Sequence, residues 1–119
     1  MRNATSALLL LLTCSLASAP SFSAQYTCTG LVIDLALNPA GLVQANTGYG
    51  NHYLCSIGSV FNGITPEVCK AWYSMLTTAK VTGATVTQWY DTTQGTALNC
   101  SQLQNWAAPS PIPYRIRAD

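Results

Sequence analysis

Charge is what this sequence has least of. It carries five basic and four acidic residues among 119, together with a single histidine. A protein that binds nucleic acid displaces phosphate counterions with a stripe of Lys and Arg side chains, and this sequence contains no such stripe. We therefore predict that nucleic acid is not a partner.

The shortage of histidine and acidic residues also argues against metal sites and catalysis. Zinc and calcium need several His, Cys, Asp or Glu ligands close together. Glu67 is explained by a helix N-terminus and Asp91 by a turn, which leaves Asp34 as the acid without a structural explanation. His52 follows a turn, where a solvated or hydrogen-bonded structural role is expected. We predict no metal, no cofactor and no enzyme activity unless Asp34 lies in a cleft beside a second acid.

The N-terminus has the three parts of a secretion signal. Arg2 is followed by an apolar run over residues 7–17 and then by small residues. The run is shorter than the roughly 20 apolar residues that span a bilayer. We predict a signal peptide over residues 1–24, cleaved between 19 and 24, and a secreted or periplasmic chain without an integral membrane segment. Cys14 leaves a lipoprotein open, although the residues before it lack the small side chains such a site prefers.

Residues 25–119 are predicted to form one domain that depends on disulfides. A chain of this length buries too little surface for its core alone to be strongly stabilising. This part of the sequence contains four cysteines, Cys28, Cys55, Cys69 and Cys100, which allow three pairings. Two disulfides of about 2–4 kcal/mol each would supply much of the stability, and they imply an oxidising compartment.

Hydrophobic patterns before residue 60 predict three antiparallel strands. Residues 31–37 and 42–46 flank a turn at Asn38-Pro39-Ala40-Gly41, which is typical of a β-hairpin. Residues 52–57 then alternate in the manner of a third strand.

The second half of the sequence predicts one helix and two strands. Thr65-Pro66-Glu67 is a strong helix start, since Thr65 can cap, Pro66 suits the first turn and Glu67 faces the positive end of the dipole. The helix carries one apolar stripe and ends at Lys80 to Gly83. The stripe consists of Val68, Trp72, Met75, Leu76 and Ala79. Residues 85–90 and 114–117 predict the last two strands.

This element order predicts a β-rich α+β fold, namely a small five-stranded OB-fold-like barrel with one helix between strands 3 and 4. Cys55 and Cys69 are separated by one loop, so a Cys55–Cys69 disulfide would pin the helix to the barrel. Cys28–Cys100 would then tie the first strand to the approach of the last, and in a closed barrel those two strands lie side by side.

A family resemblance covers roughly residues 30–91. The strand His52-Tyr53-Leu54-Cys55, the helix start Cys69-Lys70-Ala71-Trp72-Tyr73 and the following strand, together with the closing Pro-Ile-Pro-Tyr, resemble a family of small secreted bacterial proteins. More distantly, the aromatic-x-Cys strand, the second cysteine at the helix start and the helix followed by Thr-Gly and a strand are similar to the B subunits of subtilase-cytotoxin and pertussis-type AB5 toxins. Those subunits are OB-folds that form pentameric rings and bind sialylated glycans, so the resemblance implies a homo-oligomer and a glycan ligand. No residue here matches the sugar contacts of the toxin family, and none is carried over.

The aromatic residues favour a binding module. Sugar rings stack on exposed Trp or Tyr while Asn, Gln, Ser and Thr bond their hydroxyls. Trp72 and one of Trp89 or Tyr90 belong in the core, because strand neighbours alternate between faces. Tyr49 lies in a Gly-rich turn and Trp106 beside a Pro-rich run, so we predict that these two are exposed and contact the ligand.

We therefore expect a secreted, non-catalytic binding module that takes a glycan. The alternative is a protein-partner-binding or structural envelope protein, such as an inhibitor or an assembly subunit, without glycan affinity. A near-neutral surface and an unpaired strand edge at residues 114–117 suit that alternative equally.

Overall fold

A computed structural model describes residues 24–119, so the predicted signal peptide up to residue 23 and Cys14 lie outside the described residues. The described chain forms six β-strands, one α-helix and two short 3-10 helices. The strands are β1 (Gln25–Leu31), β2 (Asp34–Leu37), β3 (Leu42–Asn46), β4 (Asn51–Ser56), β5 (Thr85–Asp91) and β6 (Arg115–Ala118), and helix α1 is Pro66–Thr82. The 3-10 helices are Thr92–Gln94 and Cys100–Gln102.

The strands form two antiparallel sheets of three strands each. Sheet A has the order β1-β5-β6 and sheet B the order β2-β3-β4. In sheet A, Cys28 lies opposite Gln88, which in turn lies opposite Ile116. Both sheets are ladders of neighbouring strands, and β5 and β3 are their central strands.

The predicted five-stranded OB-fold-like barrel is wrong. Six strands form two separate sheets, and within residues 24–119 no strand pairing closes them into a barrel. The coarser prediction of a β-rich α+β domain with one helix and two disulfides is confirmed.

Two features of the structure explain why the barrel does not close. The predicted strand over residues 31–37 is broken, because Val32 turns into the core while the Ile33 N–H donates to Asn46 O at 2.8 Å. In addition, the outer edge of β4 is covered by a later loop, since the Tyr53 N–H donates to Ala107 O at 3.0 Å. β6 has four residues, because the run that precedes it contains prolines, which have no N–H for a sheet ladder.

Helix α1 begins and ends as its sequence predicts. The Thr65 hydroxyl accepts a hydrogen bond from the Val68 N–H, and Pro66 occupies the first turn. Gly83 ends the helix with a positive φ of 72°, a conformation that glycine adopts without a steric penalty. Trp72, Leu76 and Ala79 of the predicted stripe are buried, whereas Val68 is exposed.

Both predicted disulfides are confirmed, although one forms for a different reason. Cys55 in β4 joins Cys69 in the first turn of α1, as expected. Cys28 joins Cys100, but the neighbour of β1 is β5 and not the last strand. Cys100 reaches Cys28 from the 3-10 helix in the segment that follows β5.

The buried residues divide into two clusters. The large cluster packs α1 against both sheets, with Leu76, Leu54 and Val86 among its members. The small cluster lies under the far end of sheet A and contains Cys28, Tyr90, Ala97 and Leu103. The inner face of β5 passes from the large cluster at Val86 to the small cluster at Tyr90.

Candidate ligand-binding site

The structure contains an open cleft around Tyr114, at the end of sheet A. It has two adjoining lobes of about 290 and 380 Å3, which share Gln94, Ile112 and Tyr114 as a common wall. Asn62, Ile64 and Pro113 complete the first lobe, and Gln25 and Asp91 complete the second. Small-ligand pockets have volumes of about 300–1,000 Å3. The second lobe lies within this range and the first lies at its lower limit.

Backbone hydrogen bonds hold the walls of this cleft. The Tyr114 N–H donates to Trp89 O at 3.0 Å, and the Ala97 N–H donates to Ser110 O at 2.7 Å. Gly95 is required here, because a Cβ at this position would collide with the backbone of Pro111. The prolines of the following segment have fixed φ angles, so the cleft wall is built from backbone with little conformational freedom.

Polar side chains surround the Tyr114 ring. Tyr114 is half exposed, and its hydroxyl donates to Gln25 Oε1 at 3.3 Å. The amides of Gln94 and Asn62 line the two lobes. An amide carries both donors and acceptors, so these groups are suited to a ligand that presents several hydroxyls.

Asp91 supplies the negative charge of the cleft. Its Oδ1 accepts hydrogen bonds from the Thr93 hydroxyl at 2.7 Å and from the Thr93 N–H at 2.9 Å. These two bonds lower the pKa of the Asp91 carboxyl below its ordinary value, which keeps it ionised at neutral pH. Both bonds use Oδ1. Asp91 is the single carboxylate among the lining residues, whereas acid–base hydrolysis of sugars uses two.

Tyr49, predicted to contact ligand, makes a hydrogen bond within the domain. It lies in the turn between β3 and β4, and its hydroxyl donates to Thr29 O at 2.8 Å. The ring is partly buried against the small cluster. This bond ties the turn between β3 and β4 to β1.

Trp106, the other predicted contact, is 59% exposed. Its backbone has a positive φ of 57°, which is uncommon for a residue other than glycine. Two bonds to Asn51 hold this conformation, since the Trp106 N–H donates to Asn51 O at 2.7 Å and Asn105 Oδ1 accepts from the Asn51 N–H at 2.6 Å. Trp106 therefore lies near the Tyr49 turn, and neither residue lines the Tyr114 cleft.

The two residues weighed for catalysis lie apart from the cleft. Asp34 is exposed on β2, where its Oδ2 accepts from the Gln44 amide at 3.2 Å. His52 is 2% exposed, and its Nε2 has no hydrogen-bond partner within residues 24–119. A solvated or hydrogen-bonded histidine was expected, but the loop at Ala107 covers this strand edge and buries the ring. Burial lowers the pKa of His52 below its ordinary value.

Sequence reasoning did not identify the cleft, although its signals are visible afterwards. The sequence pattern predicts a strand at Tyr114 and gives Gln94 no role. The alternation Pro109-Ser110-Pro111-Ile112-Pro113 indicates an extended segment that cannot join a central strand, which is the type of segment that forms a cleft wall. Nothing in the sequence indicates that this wall faces Gln25, almost ninety residues away.

Among residues 24–119, no helix is long and apolar enough to cross a membrane. The same part of the chain holds no group of three or more His, Cys, Asp or Glu side chains arranged to bind a metal ion. No protein-family model, curated protein or solved structure matches this chain.

Proposed function

We propose that this chain is a secreted, non-catalytic binding module whose Tyr114 cleft takes a carbohydrate. The observation that carries the proposal is the composition of the cleft, a half-exposed aromatic ring bordered by amide side chains and one carboxylate. A sugar presents an apolar ring face to an aromatic side chain and hydroxyls to amides and carboxylates. The two disulfides are consistent with the oxidising environment of a secreted protein.

The direct experiment is a glycan array probed with the oxidised protein and with three variants. Y114A removes the aromatic wall of the cleft, and W106A removes an exposed ring that does not line the cleft. K70Q is a control on the helix surface, where Lys70 is exposed. We expect Y114A to weaken binding by roughly tenfold or more, since central aromatic anchors dominate small interfaces.

The results separate the two candidate surfaces. Binding that falls in W106A and persists in Y114A would place the ligand at the loop predicted from the sequence and would contradict the cleft. Binding that is absent from the native protein across neutral and acidic glycans would contradict the carbohydrate function. Circular dichroism of each variant checks that folding is intact.

A second function, binding a protein partner, is favoured by a separate apolar surface. Leu31, Ile33 and Val81 are each more than half exposed. Lys80 Nζ donates to Ile33 O at 2.9 Å, which brings the end of α1 against the corner between β1 and β2. If this surface is an interface, the mass of the protein in solution will exceed that of one chain, and I33S will reduce it to that of a monomer.

A further inference from the structure

The outer face of sheet A carries a second chemical group beside the cleft. Trp89 lies on the central strand, with Thr27 of β1 opposite on one side and Arg115 of β6 opposite on the other. Its chain neighbours Gln88 and Tyr90 are buried, and strand neighbours point to opposite faces. The indole of Trp89 is therefore on the outer face.

Two arginines stack on this single indole. The Arg115 Cζ lies 4.7 Å from the ring centroid and the Arg117 Cζ lies 5.3 Å from it. Both distances are within the range of cation–π contacts, which hold a guanidinium in a defined orientation. Two of the five basic residues of the chain are thus gathered on one aromatic ring.

The two guanidinium groups differ in their partners. Arg117 Nε lies 2.6 Å from Asp119 Oδ1, so its charge is paired within the domain. Arg115 has no ion pair and no side-chain hydrogen bond within the described part of the chain. A guanidinium is always protonated and presents a planar fork of donors that matches carboxylate or sulfate oxygens. Arg115 is therefore a charged, oriented group whose donors are available.

The Arg115 guanidinium, stacked on Trp89, lies next to the Tyr114 cleft. Arg115 directly follows Tyr114, and Asp91 is two residues from Trp89 on the same face of β5, roughly 7 Å along the strand. The ionised Asp91 disfavours an acidic group inside the cleft itself. A ligand that extends beyond the cleft meets the positive charge of Arg115 next.

We propose that Arg115, held on Trp89, is a subsite for the acidic group of the ligand, which makes the ligand an acidic oligosaccharide. One uncharged ring occupies the Tyr114 cleft, and a carboxylate or sulfate on the neighbouring ring accepts hydrogen bonds from Arg115. This inference rests on the proposed carbohydrate function and specifies the class of sugar.

The test compares three oligosaccharides with the same galactan backbone: a neutral galactan, the same galactan with one ring oxidised to galacturonate, and the same galactan with a sulfate on one ring, so that each acidic form keeps an uncharged ring for the cleft. Calorimetry with the native protein is expected to give roughly tenfold tighter binding for at least one acidic form, as charge-assisted hydrogen bonds are among the stronger ones. R115Q is expected to remove this preference and leave the neutral galactan unaffected. K70Q removes one exposed charge from the helix surface and is expected to retain the preference. The affinities for the carboxylate and sulfate forms are then compared, which shows which acidic group Arg115 prefers.

A second measurement does not depend on the sugar. Inorganic sulfate, titrated against chloride at equal ionic strength, is expected to shift the Trp89 indole N–H signal, assigned by its loss in W89F, and R115Q is expected to abolish the shift. Equal affinities for acidic and neutral galactans would overturn the acid subsite and leave the carbohydrate function standing. Failure of all three oligosaccharides to bind, together with a sulfate shift that depends on Arg115, would support an anion site but contradict the carbohydrate function. Failure of both measurements would overturn both.

Discussion

The two buried clusters of this domain are stabilised in different ways. The large cluster packs one face of α1 against both sheets and is almost entirely apolar. The small cluster has four buried members, and its neighbours include hydrogen-bonded side chains. Between them lies the buried Gln88, whose Oε1 accepts from the Thr47 hydroxyl and from the Tyr90 hydroxyl, each at 3.2 Å.

The two clusters differ in the interactions that stabilise them. The large cluster is stabilised by the burial of apolar surface, which contributes about 25 cal/mol per Å2. The small cluster buries fewer side chains and depends on a long-range disulfide, a Tyr26–Tyr90 ring stack with centroids 5.1 Å apart and the Gln88 hydrogen bonds. The Tyr114 cleft and Trp89 lie at this less apolar end, where loops and polar groups are accommodated.

The largest effect is expected from removing the disulfide of the small cluster. Cys28–Cys100 closes a loop of 72 residues, whereas Cys55–Cys69 closes one of 14. Loop-closure entropy predicts losses of about 4 and about 3 kcal/mol in the free energy of unfolding for C28S/C100S and C55S/C69S. Urea unfolding of both double variants measures this, and a greater loss in C55S/C69S would contradict the account.

Truncation of one leucine in each cluster tests the contrast in packing. Leu76 is fully buried against the helix and sheets, and Leu103 is 6% exposed in the small cluster. We expect L76A to cost about 3–4 kcal/mol and L103A about 2, because a sparse cluster relaxes more easily around a cavity. The same unfolding measurement applies to both. A larger cost for L103A would show that the small cluster is packed as tightly as the large one.

A smaller effect is expected from the hydrogen bonds around Gln88. Y90F removes the hydroxyl that donates to Gln88 Oε1, which keeps its bond from Thr47. We expect a loss of about 1 kcal/mol, the net value of a typical hydrogen bond. Y26F is the matched control, since the Tyr26 hydroxyl makes a longer bond of 3.4 Å to Ala97 O. If the two variants lose equal stability, the polar group between the clusters has no special role.

The smallest effect on the free energy of unfolding at neutral pH is expected from the protonation of His52. This residue lies in β4, on the edge that the loop at Ala107 covers. Burial lowers its pKa in the folded state, so the unfolded chain binds the proton more readily. Stability is therefore complete above about pH 6.5 and is lost as the pH falls towards the folded-state pKa, by at most about 1.4 kcal/mol per pH unit for one group. Unfolding at pH 7.5, 6.5 and 5.5 tests this, and an unchanged slope in H52Q would assign the pH dependence to another group.

Local structure was predicted well because its causes are local. Thr65, Pro66 and Gly83 mark the ends of α1 through capping and backbone preferences that operate within a few residues. The Cys55–Cys69 disulfide also follows from a short separation along the chain. The barrel was predicted incorrectly because closure depends on which segment covers the outer edge of β4, and that segment lies some fifty residues later.

The candidate site was less predictable than the fold. Trp106 is exposed as expected, but Tyr49 is engaged with Thr29, and no local pattern indicates a hydrogen bond between residues twenty apart. Tyr114, Gln25 and Asp91 come together because β1, β5 and the start of β6 meet at one end of sheet A. Whether an aromatic ring is free for a ligand thus depends on contacts that sequence patterns do not specify.

The sequence by itself determined the near-neutral charge, helix α1 with its caps, the strand segments after residue 41 and the four cysteines available for disulfides, because each depends on composition or on neighbours along the chain. It did not indicate β1, and the strand predicted over residues 31–37 is shorter in the structure. The tertiary structure alone decided that the strands form two open sheets, that Tyr114 lines a cleft and that Arg115 stacks on Trp89. These outcomes depend on the register of distant strands and on competition for sheet edges, which are resolved when the whole chain packs.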